Sequence, residues 1–359
     1  MSATTPRLAK PRPPSPAEAR YHCEAQVVLG LKAFAEREIV RVLGRRATLL
    51  PREDPEAVPF RYEGELRRLL SLRTVVAVYL VVEFEAPRPK ALLGHQHFQR
   101  LLEQLQLIAS AGDFASFRIA AAGRDSAVFQ RLAGELKTRT GLRHDPEAGD
   151  LLLRFRPSAS RGGWEVLLRL SPRPLSARPW RVCNMAGGLN ATVAAAMLDA
   201  VPFKADDAFI NLMCGSGTLL IERLAQGKAR RLVGVDNNPA ALDCARANLQ
   251  KAGAVEEVEL LHADATALKL PCSFNVIVAD APWGDRIGSH EDNRKLYPEL
   301  LREAARLALA GAHFVLLTHD VRLFERVLEE HRGLWALSSS HRVFHGGHYP
   351  RIYVLKSRY

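Results

Sequence analysis

Between Phe209 and Gln226 the chain passes from a short apolar run, through Asn211-Leu212-Met213-Cys214-Gly215-Ser216-Gly217-Thr218, into a helical pattern. This passage constrains the fold more than any other stretch. Gly215 and Gly217 permit a sharp turn and a close backbone approach to a ligand where a Cβ would clash. Ser216 and Thr218 suit the cap of the following helix, whose first amides then face a carboxylate or phosphate. A G-x-G also serves plain strand-to-helix turns, so its context decides. Downstream, strand patterns at Arg231–Val235, Leu260–His262, Val276–Ala279 and His313–Thr318 follow one another, with a helix at Pro239–Lys251. Pro239 stands at the first helical position and Gly253 just past the end, the favoured asymmetry. Val343–Phe344 and Ile352–Leu355 predict a closing antiparallel hairpin. The alternation predicts an α/β domain over 206–359, doubly wound around a mostly parallel sheet, that binds its ligand outside the carboxyl ends of the strands.

Three carboxylates follow strands in order. Asp236 ends Val233-Gly234-Val235-Asp236-Asn237, where a carboxylate accepts both hydrogen bonds of a ribose diol. Asp264 ends His262-Ala263-Asp264-Ala265 and is placed for an adenine amino group. Asp280 opens Asp280-Ala281-Pro282-Trp283-Gly284. An exocyclic amine on a base is a poor nucleophile, because its lone pair is delocalised into the ring. An acceptor such as Asp280 holds the amine so that its lone pair faces a methyl donor, and Trp283 offers a flat face for an extruded base. Positioning then supplies most of the catalysis.

Asn211 to Glu222 resembles the first motif of the Rossmann-fold nucleic-acid amino-methyltransferases, and Asp280-Ala281-Pro282-Trp283 resembles their [DN]-P-P-[YFW] motif. Gly284-Asp285-Arg286-Ile287-Gly288, Leu296-Tyr297, Leu300-Leu301, Arg178-Pro179-Trp180-Arg181 and Gly188-Leu189-Asn190 are similar to the THUMP-containing tRNA guanine-N2 methyltransferases. The resemblance implies S-adenosyl-L-methionine as cofactor, held by Asn211, Met213, Cys214, Gly215, Ser216, Gly217, Thr218, Asp236, Asn237, Asp264, Ala265 and Asp280. It implies catalysis by Asp280, Pro282 and Trp283, and RNA contact through Arg178, Arg181, Asn190 and Arg286. The specific similarity covers about 178–359. Over 20–172 it is architectural, implying a ferredoxin-like domain and then a THUMP-like domain that grips the acceptor stem and 3′ end of tRNA. Two departures stand out: Asn211 where many relatives have Asp, and Ala281 where they have the first proline, whose ring stiffens the loop.

The front half agrees with that order of elements. Strand patterns at Tyr21–Leu31, Val58–Tyr62 and Ala77–Phe84, with helices at Lys32–Leu43 and Leu66–Leu72, predict an α+β unit at 21–90. Helices at His97–Ser110 and Phe129–Gly141, with strands at Ser116–Ala121, Asp150–Arg156 and Trp164–Leu170, predict a second at 91–172. A linker with a lead-in helix fills 173–205, and residues 1–20 read as a disordered basic tail. Residues 1–180 carry 29 Lys and Arg against 19 Asp and Glu, a net charge of +10, while residues 181–359 carry 21 against 20. That asymmetry points to a polyanion held by the front half and chemistry done by the rear.

Five cysteines, an odd number with no C-x-x-C pair, argue against a disulfide framework and a cysteine zinc site, and fit a reducing cytoplasm. No membrane span, signal peptide or obligate protein partner is expected, and the chain reads as a monomer. His341, His345 and His348 lack a nearby acidic or cysteine ligand, so they read as surface histidines near RNA and no metal is expected. Cys214 has no base beside it in sequence, which argues against a covalent mechanism. The expected reaction is methylation of guanosine N2 in the tRNA acceptor stem. Two alternatives stay open: ribosomal RNA guanine N2 or adenine N6 in DNA or RNA, and an RNA-binding protein with a weakened catalytic domain.

Overall fold

The computed structural model describes residues 20–158, 162–202, 204–271, 273–282 and 290–359. The chain divides into two units, one of residues up to 27 with 35–176, the other of 28–34 with 177–359. The expected basic tail lies outside the described residues except Arg20, which opens the first strand.

The first unit contains strands β1 (Arg20–Gln26), β2 (Ala47–Leu49), β3 (Ala57–Glu63), β4 (Ala77–Phe84), β5 (Ser116–Ala120), β6 (Arg143–His144), β7 (Leu151–Pro157) and β8 (Trp164–Arg169). They form one sheet in the order β2-β3-β1-β4-β8-β7-β5-β6. The sequence places a boundary near residue 90, yet β4 pairs with β8 from Tyr79 opposite Arg169 to Phe84 opposite Trp164. Pairing satisfies two edges that would otherwise stay open. One core follows, made of alternate residues such as Val78, Leu80, Val82 and Val166, Leu168. Helices α2 (His95–Ile108) and α3 (Ala127–Thr140) cover that face with Leu101, Leu105, Leu132 and Leu136. The expected helix at Leu66–Leu72 is a 3-10 segment, Leu66–Ser71. On the opposite face Glu24, 4% exposed, takes Arg156 through both oxygens at 2.9 and 2.6 Å and Arg52 at 2.8 Å.

In the second unit, β9 (Ala208–Leu212), β10 (Arg231–Asp236), β11 (Glu259–His262), β12 (Phe274–Asp280) and β13 (Ala308–Thr318) run parallel. With β14 (Trp335–Arg342) and β15 (Arg351–Ser357) antiparallel, the order is β11-β10-β9-β12-β13-β15-β14. Every residue of β9 is buried, as expected of a strand covered on both faces. The order reverses between β9 and β12, and a crevice opens outside the strand ends there. Helices α4 (Ala191–Asp199), α5 (Thr218–Leu224), α6 (Pro239–Ala252), α7 (His290–Leu307) and α8 (Val321–Glu330) complete the unit.

Three features of this unit correct the sequence reading. The first strand of the hairpin is Trp335–Arg342 rather than Val343–Phe344. It is an edge strand with one fully buried residue, Trp335, so its apolar pattern is weak. Cys183 is disulfide-bonded to Cys244, 61 residues apart, because the segment before α4 crosses α6. Cys23 and Cys214 are free and buried, and Cys272 lies outside the described residues. Finally, Val28–Phe34, with the first residues of helix α1 (Lys32–Leu43), belongs to this unit. Leu31 and Phe34 share a core with Met197, Val343 and Ile352. Leu29 O accepts from Phe344 N–H at 2.9 Å. A Cβ on Gly30, at φ +94°, would lie 2.2 Å from Arg342 O, so the strap needs glycine there.

Candidate active site

The loop leaving β9 is shaped by left-handed residues: Met213 at φ +58°, Gly215 at +53° and Gly217 at +79°. Met213 is the one non-glycine residue with positive φ among the described residues. For a residue with a Cβ this costs roughly 1–2 kcal/mol. Strain of that kind persists where surrounding bonds over-determine it. Here Cys214 N–H donates to Val235 O at 2.8 Å, and Gly217 N–H to Cys214 O at 2.9 Å. Alternation of hand turns backbone N–H groups toward one concavity, a cradle for an anionic or polar ligand. A Cβ on Gly217 would sit 3.3 Å from Ala245 Cβ, so this glycine lets the loop press on α6. Ser216 and Thr218 do not cap α5; its N-cap is Gly217, with no side-chain bond. Thr218 Oγ1 instead accepts from Arg181 at 2.9 Å.

At the end of β10, Asp236 is 9% exposed. Its Oδ2 accepts from Gly215 N–H at 2.8 Å and its Oδ1 from Asn238 N–H at 2.9 Å. Each oxygen therefore keeps acceptor capacity for a ribose diol. Asp264 is exposed, and its Oδ1 accepts from Thr266 N–H at 2.9 Å and Thr266 Oγ1 at 2.8 Å. One cavity of about 630 Å³ gathers these groups: the loop around Met213 to Ser216, Asp236 with Asn237, Asp264 with Ala265, and Asp280 to Pro282. Asn211 and Thr218 also line it, and Gly217 lies behind, against Ala245.

The loop after β12, which opens with Asp280, is held from two sides. Ala281 N–H donates to Leu317 O at 3.0 Å. A proline there could not donate, so the substitution that removes ring stiffness supplies a hydrogen bond to β13 instead. Pro282 O accepts from Asn293 Nδ2 at 3.2 Å and Tyr297 Oη at 3.3 Å, and Tyr297 Oη lies 2.7 Å from Thr318 Oγ1. Trp283 and Arg286 lie outside the described residues. Burial pushes the Cys214 thiol well above its usual range, with the Asp236 charge adding to the shift, which fits no nucleophilic role.

Three expected RNA contacts bond inside the protein. Arg178, 8% exposed, pairs with buried Glu222 through Nε at 2.8 Å and Nη2 at 3.2 Å. Asn190 caps α4 by accepting from Thr192 N–H at 2.8 Å. Arg181 also turns inward, donating to Leu189 O at 2.8 Å as well as to Thr218. Burial lowers its guanidinium from the usual value.

Sequence reasoning missed three contributors. Asn248, fully buried in α6, accepts from Val182 N–H and Cys183 N–H at 2.9 Å each, and donates to Cys183 O and Ser216 O at 3.0 Å each. It ties the loop after β9 to the segment that leads to Met185–Leu189, which lines the cavity. Its contacts span more than 30 residues, so no local pattern marks it. His345 and His348 also line the cavity, as do Asp280 and Leu296. Burial, helped by the Arg181 charge, lowers His345 to about 4, so it is neutral at pH 7. The sequence reading put these histidines on the surface; the hairpin register turns them inward.

Asn211 tests the fit of a cofactor. Its Oδ1 is buried and has no hydrogen-bond partner among the described residues, so a ligand donor would satisfy it. With the Met213–Gly217 cradle and two ordered carboxylates, the donor set suits a nucleoside carrying an amino acid. Among the described residues, no group of three His, Cys, Asp or Glu is placed for a metal ion, and no helix is long and apolar enough to cross a membrane.

Comparison with known proteins agrees with this geometry. Residues 178–351 match a family described as RMKL-like methyltransferase domains. The tRNA (guanine(6)-N2)-methyltransferase of Methanocaldococcus jannaschii is 28% identical over 221 residues, 50% of this chain and 57% of that protein. The mouse U6 snRNA (guanine-N(2))-methyltransferase THUMPD2 is 34% identical over 155 residues, 43% of this chain and 28% of that protein. The chain thus matches about half or less of the length of these curated relatives. The crystal structure of TrmN from Thermus thermophilus superposes with a TM-score of 0.75 at 23% identity, covering 94% of this chain and all of that one, and so shares the fold. S-adenosylmethionine is the cofactor of such a domain, and the cavity residues fit it. Residues 178–351, just under half of the chain, are thus similar to the RMKL-like methyltransferase domain family.

Proposed function

We propose that this chain transfers a methyl group from S-adenosylmethionine to the N2 amine of a guanosine in the acceptor stem of tRNA. The observation that carries the reading is that Asp280 and Pro282 line the same cavity as Gly215, Asp236 and Asp264. The cofactor, when bound, supplies an electrophilic methyl group. Asp236 would hold its ribose hydroxyls, Asp264 its adenine amine, and the unpartnered Asn211 Oδ1 would accept from a donor of the same group. Asp280 accepts a hydrogen bond from the guanine N2 amine and holds its lone pair toward the methyl group. With the cofactor bound, the amine would gain its methyl group and give up one proton to solvent, the sulfonium becoming a neutral thioether. Tyr297 and Asn293 fix the Pro282 carbonyl, so the loop presents one geometry, which is where most of the rate arises. Trp283 stacks the extruded base.

The front unit supplies the grip on RNA, as a THUMP-like module preceded by a ferredoxin-like one. Its excess of cations supports this, as does a group of arginines on one sheet face. Arg118 and Arg154 approach Arg169 closely enough that their charges, after burial, lower its guanidinium further.

Labelled S-adenosylmethionine and unmodified tRNA transcripts test the reading, with Asp280→Ala as control. N2-methylguanosine that disappears in the variant is the expected result. Cofactor binding without label on any tRNA would rule tRNA out and direct the search to other RNAs.

A further inference from the structure

The turn joining β14 to β15 is more ordered than a surface connection requires. His345 N–H donates to His348 O at 2.9 Å and His348 N–H to His345 O at 3.0 Å, closing a two-residue loop at Gly346 and Gly347. Both glycines have positive φ, +61° and +87°, as a tight hairpin turn of matching twist demands. The root is also fixed: Val343 N–H donates to Pro350 O at 3.0 Å, and the Val28–Phe34 strap bonds Phe344. Thr318, at the end of β13, pairs with Arg351, so the turn projects past the carboxyl ends of the parallel strands. It stands on the β12–β13 side of the switch point, opposite the strands that carry Gly215 and Asp236.

Alternation along the hairpin gives the turn two faces. His345, Gly346 and His348 line the cavity with Asp280 and Pro282. The His348 ring packs edge-on against His319, centroids 4.6 Å apart. Phe344 and Tyr349 are 40% and 42% exposed, their ring centroids 5.3 Å apart, and the Arg342 guanidinium lies 4.3 Å from the Tyr349 ring centre. Such a face is suited to stacking an unpaired nucleotide.

We infer that this turn reads the target base, with His345 donating a hydrogen bond to guanine O6 while Asp280 holds the N2 amine. The inference rests on the guanine-N2 reading above. Guanine presents O6 and N2 on one edge, so a cavity lined by an acceptor at Asp280 and a donor at His345 suits guanine. A neutral imidazole carries one N–H donor without adding a charge to the cavity. A site built to bond a substrate group rejects an analogue that lacks the group far more strongly than an apolar pocket can.

The test replaces the methylated guanosine, once mapped, with 2-aminopurine, which keeps the amine and lacks both O6 and the N1 proton, so the O6 contribution is read from the coupling between this change and the His345 variants. The wild-type chain is expected to lose roughly 10- to 100-fold in kcat/KM on the analogue, one hydrogen bond in a water-poor site. His345→Ala is expected to lose a similar factor on guanosine and nothing further on 2-aminopurine, with S-adenosylmethionine affinity by calorimetry within twofold of wild type. His345→Gln, which keeps a donor, is expected to restore part of the preference. Equal losses on both bases, or a parallel loss of cofactor affinity, would overturn the assignment. Guanosine preference surviving His345→Ala would overturn it too and leave the guanine-N2 reading standing. Absence of transfer by the wild-type chain to any guanine-containing RNA would remove both.

Discussion

Asn248→Ala offers the sharpest test of how the cofactor loop is held. The side chain is 0% exposed and uses its full capacity, two acceptor and two donor bonds. Truncation orphans two N–H and two C=O groups. Val182 is 58% exposed, so water can replace its bond at little cost. Ser216 is 6% exposed, and its carbonyl lies where water enters with difficulty. At about 1 kcal/mol for each net bond, and up to 3 kcal/mol for a group left dry, the expected loss is about 3 kcal/mol. Because Ser216 belongs to the cofactor loop, affinity for S-adenosylmethionine should also weaken, by roughly tenfold for each 1.4 kcal/mol lost at the loop. The Cys183–Cys244 disulfide tethers the same segment independently, so the effect on affinity should be larger with reducing agent than without. Urea unfolding followed by tryptophan fluorescence gives the stability, and calorimetry the affinity. Asn248→Asp keeps the acceptors and removes the donors, so it should be damaging as well. A stability change under about 1 kcal/mol with unaltered affinity in both redox states would refute the idea that Asn248 holds the loop.

Four shorter predictions follow from the same geometry. Asp280→Ala should abolish methyl transfer while calorimetry shows cofactor affinity within a few fold of wild type. Arg178→Ala strands the fully buried Glu222 carboxylate and should cost about 3–5 kcal/mol, whereas RNA affinity per folded molecule, measured by filter binding, should be unchanged. Gly30→Ala forces a Cβ onto backbone that cannot yield and should destabilise by about 2 kcal/mol or more, read as a lowered Tm. His345 has a folded-state value of about 4 against an ordinary 6.5, so the unfolded chain binds the extra proton. Stability should therefore fall as pH drops from about 6.5 toward 4, and His345→Gln should flatten that slope in unfolding curves across this range.

Much of the second unit is local in character, and that is why it was legible. Asn211–Thr218 had to turn sharply because Gly215 and Gly217 can adopt left-handed backbone, and they do. Pro239 and Gly253 mark the ends of α6, and burial on both faces makes β9 and β10 continuous apolar runs. Asp236, Asp264 and Asp280 sit at strand ends because strand length fixes where a following residue emerges. The helix at His290–Leu307 and the strand Trp335–Arg342 escaped, since a mostly polar helix face and an exposed edge strand carry weak patterns.

What the sequence determined by itself was therefore the sharp turn at Asn211–Thr218, most of the parallel strands of the second unit, and the class of cofactor that unit receives. Only the tertiary structure decided which distant residues meet. It joined β4 to β8 across the expected domain boundary, bonded Cys183 to Cys244, and laid Val28–Phe34 against the base of the closing hairpin. It also buried Arg178 on Glu222 and aimed His345 at the cavity. These outcomes depend on backbone pairing and desolvation between residues tens to hundreds of positions apart. Local preference fixes φ and ψ one residue at a time, and no such preference encodes a partner that far along the chain.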